Sequence, residues 1–241
     1  MSTLRCRGAT AHGSVGATDW SRIDAIVACT RARPLPRGAL NGRQVAVFAG
    51  LTGASGIWLL LAFTNPWCAL LTFASLLGYA VVYSMFLKRL TPQNIVIGGA
   101  AGAAPPLLGW VAVTGQIDAG ALLLFLIVLV RTPPHFWALA IHRRDDYAKA
   151  GIPMLPVTHG VAFTSRRILH YSVVLALTSL LPFLIGMSGW LYLAAAVVLG
   201  TRFIVLAWHL RGDARLAMPT FRYSIIDLAG LFAILLMDHD A

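Results

Sequence analysis

Two adjacent carboxylates, Asp145 and Asp146, lie in a short run of cations between long apolar stretches. Mg²⁺ prefers hard oxygen ligands and often bridges protein carboxylates to the phosphates of a substrate. The flanking cations Arg144 and Lys149 can bind the remaining phosphate oxygens. The pattern therefore indicates a metal-assisted site for a phosphate-bearing substrate. Considered alone, the same residues also fit an ordinary solvated loop between membrane helices.

Basic residues recur in two other polar stretches of the chain. Lys88 and Arg89 follow one apolar run, and Arg31 and Arg33 precede another, with Asp24 upstream of them. Each stretch alone fits the positive charge of cytoplasmic loops. Together they would form a pocket with acids for a metal and bases for an anion, above apolar walls that suit a lipid tail. That combination points to a polyprenyl diphosphate.

The apolar run before the acidic pair carries Arg131 and His135, together with Pro133 and Pro134. Charged residues inside membrane spans usually face the bundle interior or a water-filled pocket. The prolines each remove a backbone donor, so we expect them to interrupt this span and kink it. These features favour a functional pocket, while a structural kink and a hydrogen-bonded core histidine remain the alternatives.

The composition identifies the elements that must position these groups. Of the 241 residues, 58% are hydrophobic and only 12% are charged, which excludes a disordered chain and indicates a polytopic membrane protein. The net charge of +10 fits basic cytoplasmic loops that face anionic lipid, and we expect no nucleic-acid partner. The three cysteines are spaced for neither a metal site nor a disulfide framework.

Seven apolar stretches are long enough, or nearly so, to cross a bilayer as helices, which predicts an all-α transmembrane bundle. Loops with and without Lys or Arg alternate between them, so the basic side is predicted to be cytoplasmic, the N-terminus inside and the C-terminus outside. Residues 1–23 lack this pattern and form an atypical N-terminal segment before the membrane domain at 24–241. The predicted spans are 45–63, 67–87, 95–113, 119–141, 168–186, 189–208 and 221–237.

Specific motifs extend this interpretation. The runs TPPHFWALAIHRRDDYAKAGIPMLPV (132–157) and YSMFLKRLTPQNIVIGGAAGAAPPLLGWVAVTG (83–115) resemble the protohaem IX farnesyltransferase branch of the UbiA-type intramembrane prenyltransferases. TRARPLPRG (30–38), FRYSI (221–225) and MDHDA (237–241) also resemble their counterparts, so the resemblance extends from about residue 24 to 241. It implies a helical bundle of nine spans around a central cavity that opens to the membrane.

The resemblance also implies the activity. Members of this branch, the haem O synthases, transfer the farnesyl group of farnesyl diphosphate to a vinyl group of haem B with addition of water. The products are haem O, which serves haem–copper oxidases, and diphosphate. Mg²⁺ is the implied cofactor, and the bilayer, haem A synthase and oxidase assembly factors are the implied partners. A bacterial inner membrane is the expected location.

Roles follow residue by residue where the motifs match. Asp145 and Asp146 match the second acidic motif, which holds Mg²⁺–diphosphate, and Tyr147 is expected to orient that site. His135 matches a histidine expected to contact haem or ligate its iron, with a structural hydrogen bond as the alternative. Arg131 replaces an aromatic residue and receives no role. The expected cationic contacts to substrate are Arg31, Arg33, Lys88, Arg89, Arg144 and Lys149.

The first acidic motif of the family matches only in part. The expected Asn and two Asp, spaced by four, fall here on Gly16, Trp20 and Asp24, so Asp24 alone is a predicted catalytic and metal-binding residue. Asp19 is one position out of register, which turns a helical side chain by about 100°. Two of the nine spans are also missing. A misassigned start or upstream frameshift, an inactive copy, and an enzyme with a reduced first motif are the three interpretations.

Other functions fit parts of the pattern. A UbiA-type enzyme that prenylates an aromatic acceptor would share the fold, but the loop DDYAKAGIPMLP (145–156) resembles the haem branch. A transporter could use Arg131, Arg202 and Asp227 to line a path through the membrane. A truncated, inactive member could bind haem without turnover.

Overall fold

The computed structural model describes residues 41–79, 94–149 and 153–238, and within these ranges it is helical with no strand. Six helices are long and apolar enough to cross a membrane, so the protein is an integral multi-pass membrane protein. The helices are α1 (Gly42–Phe63), α2 (Pro66–Leu77), α3 (Asn94–Thr114), α4 (Ala119–His142), α5 (Arg144–Lys149), α6 (Leu155–Thr158), α7 (Val161–Thr178), α8 (Leu181–Leu184), α9 (Trp190–Leu210) and α10 (Ala217–Asp238), with a 3₁₀ turn at Ala214–Leu216.

The predicted spans correspond to these helices, with two differences. Of the predicted span 67–87, the structure describes α2 and the following turn as far as residue 79, and the rest lies outside the described residues. The span predicted at 168–186 begins earlier, because α7 starts at Val161. Arg166 and Arg167, which precede the predicted span, lie on the exposed side of the first turns of α7. A helix can carry charges there because long basic side chains reach the membrane surface.

Helix α4 is the centre of the described bundle, with α3, α7 and α10 packed around it. Its fully buried Ile127 joins a core cluster with Phe203 of α9 and Tyr223 of α10. Helix α3 approaches closely at Gly99, where a Cβ atom would lie 2.9 Å from Cγ2 of Thr132. Small residues at such crossings are typical of membrane helices, because close backbone approach strengthens van der Waals packing.

Pro133 and Pro134 do not end the fourth span, because α4 continues through both of them to His142, and the kink expected there stays a prediction. The two prolines are almost completely buried against neighbouring helices. A proline inside a helix leaves the carbonyl four residues earlier without its usual donor, and such helices persist where neighbours support them. Packing against neighbouring helices therefore outweighs the local tendency of proline to end a helix.

Polar side chains fix the helix ends away from the acidic pair. Asp118 caps α4 by accepting a hydrogen bond from the Ala121 amide at 2.9 Å, and its other oxygen accepts one from the Trp110 indole at 2.9 Å. These bonds, above all the one from the Ala121 backbone, hold the pKa of Asp118 below its usual value. Asp238, the last residue of α10, accepts bonds from the Gly189 and Tyr192 amides at 2.5 and 3.1 Å and so caps α9.

Candidate functional site

The acidic pair lies on a direct continuation of α4. A single non-helical residue, Arg143, separates α4 from α5. Helix-type hydrogen bonds nevertheless run through this junction, from the Arg143 amide to the Leu139 carbonyl at 3.0 Å and from the Tyr147 amide to the Arg143 carbonyl at 3.2 Å. Asp145 and Asp146 therefore extend from the end of the central helix of the bundle.

The side chains around this pair are accessible to a ligand. Asp145, Asp146, Arg144 and Lys149 are all exposed, and Tyr147 is half-buried. Across residues 41–79, 94–149 and 153–238, no three His, Cys, Asp or Glu side chains come together to hold a metal. Two adjacent carboxylates still suit Mg²⁺, which usually keeps waters and takes its remaining ligands from substrate phosphates. The donor set fits a metal–diphosphate complex better than a metal held by protein alone.

A buried polar cluster lies deeper, at the middle of α4. Arg131 donates two hydrogen bonds to the backbone carbonyl of Ser224 on α10, one from Nε at 2.8 Å and one from Nη2. Asp227, one turn further along α10, is 1% exposed and interacts electrostatically with Arg131. Its Oδ2 has no hydrogen-bond partner within the described part of the chain. Arg131, which has no role in the assignment from the motifs, therefore joins α4 to α10.

His135 lies one turn along α4 from Arg131 and is half-buried. Its Nδ1 is 2.6 Å from the hydroxyl oxygen of Ser224. Its ring stacks on Phe221 with ring centroids 4.4 Å apart and an interplanar angle of 26°. The ring of Phe136 meets it edge-on, at 5.1 Å and 82°. The imidazole is therefore fixed both by a hydrogen bond and by aromatic contacts.

His135 and the acidic pair lie on two successive helices. Asp146 follows His135 by eleven residues in the sequence. Between them Arg143, at φ −108° and ψ 26°, ends α4, and the acidic pair lies beyond it in α5. The imidazole is thus on the central helix, and the acidic pair is on the short helix that directly follows it.

An apolar cavity of about 420 Å³ lies between α2, α3 and α4. Its volume is within the usual range for small-molecule sites. Leu71, Ala104 and Phe125 form part of its wall, and Tyr79 lies at the end where α2 terminates. Its apolar lining suits a hydrocarbon chain.

Some predicted site residues lie outside the described residues, namely Asp24, Arg31, Arg33, Lys88 and Arg89. Conversely, Phe221 and Ser224 are not among the predicted site residues, although both belong to the FRYSI motif. The available signal was the spacing of Phe221, Ser224 and Asp227 by three residues, which places them on one side of a helix. Only the packing of α10 against α4 shows that this side meets His135 and Arg131.

The sequence model of the UbiA prenyltransferase family matches residues 21–229. The chain belongs to the UbiA prenyltransferase family. This membership confirms the resemblance drawn from the two long motifs. The matched residues include the acidic pair, His135 and the buried cluster.

Relatives within the family are close in sequence. The chain is 59% identical over 220 residues to the protein of Thiobacillus denitrificans called "Protoheme IX farnesyltransferase", covering 90% of this chain and 74% of that relative. It is 59% identical over 236 residues to the protein of that name from Alkalilimnicola ehrlichii, covering 96% and 78%. For "Protoheme IX farnesyltransferase 1" of Pseudomonas aeruginosa the identity is 57%, covering 97% and 77%.

A solved structure confirms the all-helical fold of this UbiA chain. It comes from work described as "Structural and mechanistic insights into the biosynthesis of Digeranylgeranylglyceryl phosphate synthase in membranes". The TM-score is 0.79 at 19% sequence identity, and the match covers 95% of this chain and 80% of that one. At this identity the likeness concerns the fold alone.

Proposed function

We propose that this chain is a protohaem IX farnesyltransferase, which makes haem O from haem B, farnesyl diphosphate and water and releases diphosphate. The observation that carries the proposal is the identity of 57–59% to proteins of that name over at least 90% of this chain. An imidazole on the central helix α4 and an acidic pair on α5, directly after the end of α4, support it. These two features suit the two substrates, a diphosphate and a metalloporphyrin.

The diphosphate site is proposed at the end of α4 and in α5. Asp145 and Asp146 would hold Mg²⁺, and Arg144 and Lys149 would bind the phosphate oxygens, with Tyr147 orienting them. When bound, the metal would neutralise the charge that develops on the departing diphosphate. Further groups belong to the proposal from sequence alone, namely Asp24, Arg31, Arg33, Lys88 and Arg89.

Haem B, farnesyl diphosphate and water together supply every atom of haem O and diphosphate. The bond between C1 of the farnesyl chain and its oxygen breaks, and its electron pair leaves with diphosphate. The terminal carbon of a haem vinyl group attacks C1, which forms the new carbon–carbon bond and leaves a cation on the carbon beside the porphyrin. Water adds to that cation and loses a proton, which gives the hydroxyethylfarnesyl side chain.

The apolar surroundings would protect the allylic cation from premature capture by water. The cavity between α2, α3 and α4 is proposed to take the farnesyl chain, because its wall is apolar and begins near the end of the bundle where α2 terminates. His135, eleven residues before Asp146 in the sequence, is proposed to contact the haem. The farnesyl chain and the haem would then meet between His135 and the acidic pair.

The orientation in the membrane is proposed from the charges of the loops. The end of the bundle that carries Arg144, Lys149, Arg166, Arg211 and Arg215 would face the cytoplasm, by the positive-inside rule. The diphosphate site would then be open to water-soluble metal and to product release on that side. The names and sources of the relatives favour a bacterial inner membrane as the location.

A reconstituted assay tests the proposal. The full chain in lipid nanodiscs would receive haem B, farnesyl diphosphate and Mg²⁺, with haem O measured by chromatography and diphosphate by a coupled assay. We expect equal amounts of both products, and none after removal of divalent metal by EDTA. The double variant Asp145→Asn, Asp146→Asn should lose about 100-fold or more in rate, as for loss of preorganised charge stabilisation.

The matched control is Asp213→Asn. Asp213 is also exposed, and it lies in the turn between α9 and α10, where its Oδ1 accepts a bond from the Arg215 amide. This variant should retain the parent rate. Equal rates for the parent and the Asp145, Asp146 double variant would contradict the proposed diphosphate site. Absence of haem O from the folded parent chain would contradict the proposed function itself.

A further inference from the structure

The contacts of His135 within the protein indicate how its ring is oriented and which ring nitrogen carries the proton. We infer that Ser224 is a positioning residue, which holds His135 in the tautomer protonated on Nδ1 and so presents Nε2 as the axial ligand for the iron of the haem substrate. The inference rests on the proposed function, because it assumes that haem is the substrate. Beyond the proposed function, the inference names the atom that binds the iron, Nε2 of His135, and the residue that orients it, Ser224.

The tautomer follows from a count of protons. The Ser224 hydroxyl has one proton, and its oxygen is 2.7 Å from the Phe221 carbonyl and 2.6 Å from Nδ1 of His135. A carbonyl can only accept, so the hydroxyl must donate to Phe221 for that bond to exist. The hydroxyl oxygen then accepts, and Nδ1 of His135 must donate. A neutral imidazole with its proton on Nδ1 carries its lone pair on Nε2.

Nε2 is available for a ligand within the described part of the chain. None of residues 41–79, 94–149 and 153–238 hydrogen-bonds to it, and it is absent from the buried polar atoms that lack partners. Neutral imidazole nitrogen is a common axial ligand of haem iron. A metal-bound histidine almost always donates its other N–H to a neighbouring acceptor, which fixes the ring. The Ser224 hydroxyl supplies that acceptor here.

The acceptor is itself held in place. Ser224 is fully buried, with 0% of its surface exposed. Its backbone carbonyl receives the two hydrogen bonds from the Arg131 guanidinium, and the side chain bonds back to Phe221 within α10. Phe221 also stacks on the imidazole ring and fixes its plane. Side chains of two helices therefore determine both the rotation and the tautomer of His135.

Haem binding by optical spectroscopy tests the ligand. The full chain in nanodiscs would be titrated with haem B, without farnesyl diphosphate, and the spectrum should show histidine ligation. His135→Gly should lose that signature and bind haem at least 10-fold more weakly, and added imidazole should restore the signature. The matched control is His170→Gly on the exposed side of α7, which carries the same loss of helix propensity. It should bind as the parent does.

Ser224→Ala tests the positioning. Loss of such an outer partner typically lowers metal affinity by 10–100-fold, so we expect this change in haem affinity with the protein still folded. The matched control is Ser172→Ala, since Ser172 is 1% exposed and its hydroxyl bonds only to the Ile168 carbonyl at 2.9 Å. In the His135→Gly background without added imidazole, Ser224→Ala should have no further effect, because Ser224 acts through the His135 ring.

The outcomes separate this inference from the proposed function. If His135→Gly keeps the parent spectrum and affinity while haem O is still made, the axial ligand is wrong and the function stands. If Ser224→Ala weakens haem binding equally with and without His135, the positioning role is wrong. If the folded parent neither binds haem B nor makes haem O, the proposed function fails and the inference fails with it.

Discussion

Replacing Asp227 with leucine should lower the free energy of unfolding by about 0.5–3 kcal/mol, because it removes the buried carboxylate that interacts electrostatically with the buried guanidinium of Arg131. Arg131 is 8% exposed and Asp227 is 1% exposed, so neither group can be compensated by bulk water. The remaining bonds from Arg131 to the Ser224 carbonyl satisfy donors but not the charge. Arg131→Met should lower the free energy of unfolding by a similar amount, because it leaves the buried Asp227 carboxylate without the nearby positive charge.

The double variant Arg131→Met, Asp227→Leu should recover most of the loss, because replacing both of the buried opposite charges by apolar groups leaves neither charge uncompensated. For a domain of 150–250 residues, each kcal/mol shifts Tm by about 2–4 °C. The single variants should therefore melt about 1–12 °C below the parent. The double variant should melt within a few degrees of it.

Thermal unfolding of the four proteins in one detergent, followed by circular dichroism, measures the coupling between the two sites. The control is Asp213→Asn, which removes an exposed charge but keeps the oxygen that accepts a bond from the Arg215 amide, and should leave Tm almost unchanged. Strong non-additivity is expected, since residues in one polar network couple by 0.5–3 kcal/mol or more. Additive losses, with the double variant the least stable, would refute a charge pair between α4 and α10.

Three further predictions concern helix ends and crossings. Asp238→Ala should cost about 1–2 kcal/mol in thermal unfolding, because it removes the cap of α9, and an unchanged Tm would contradict that capping. Gly99→Ala should destabilise by about 1–3 kcal/mol, because its methyl would meet Thr132, whereas Gly102→Ala, with open space around it, should stabilise slightly; equal effects would contradict the close crossing. Hydrogen bonds from the start of α4 and from an indole hold the pKa of Asp118 below its usual value, so its contribution to stability is present above the unfolded pKa and is lost as pH falls through the folded pKa. Asp118→Asn should therefore lower Tm at pH 7, and the difference from the parent should shrink as the solution is acidified. A pH-independent difference would contradict this prediction.

The sequence predicts the fold well because the bilayer imposes one requirement on every span. Length and hydropathy were enough to locate six of the predicted spans within a few residues of their observed ends, except at the start of α7. That start was missed because Arg166 and Arg167 interrupt the apolar run, although a helix can carry such side chains at a membrane surface. Similarly, Pro133 and Pro134 suggested a break that packing against neighbouring helices removes.

The candidate site was predictable only where its residues are close in sequence. Asp145, Asp146 and their cations stand in one short motif, and their chemistry is readable from residue types. The partner of Arg131 and His135 is Ser224, some 90 positions away, and only the packing of α10 against α4 brings them together. A single sequence contains no signal for that distance. For the same reason the capping of α9 by Asp238 could not be anticipated.

The most direct test of the central claim is to extract haem from a host that lacks haem O and expresses this chain of 241 residues. Chromatography of the extract should show haem O with the parent chain. It should show only haem B with the Asp145→Ala, Asp146→Ala variant at equal membrane levels. Haem B alone from the parent, inserted in the membrane at those levels, would contradict the proposed farnesyl transfer.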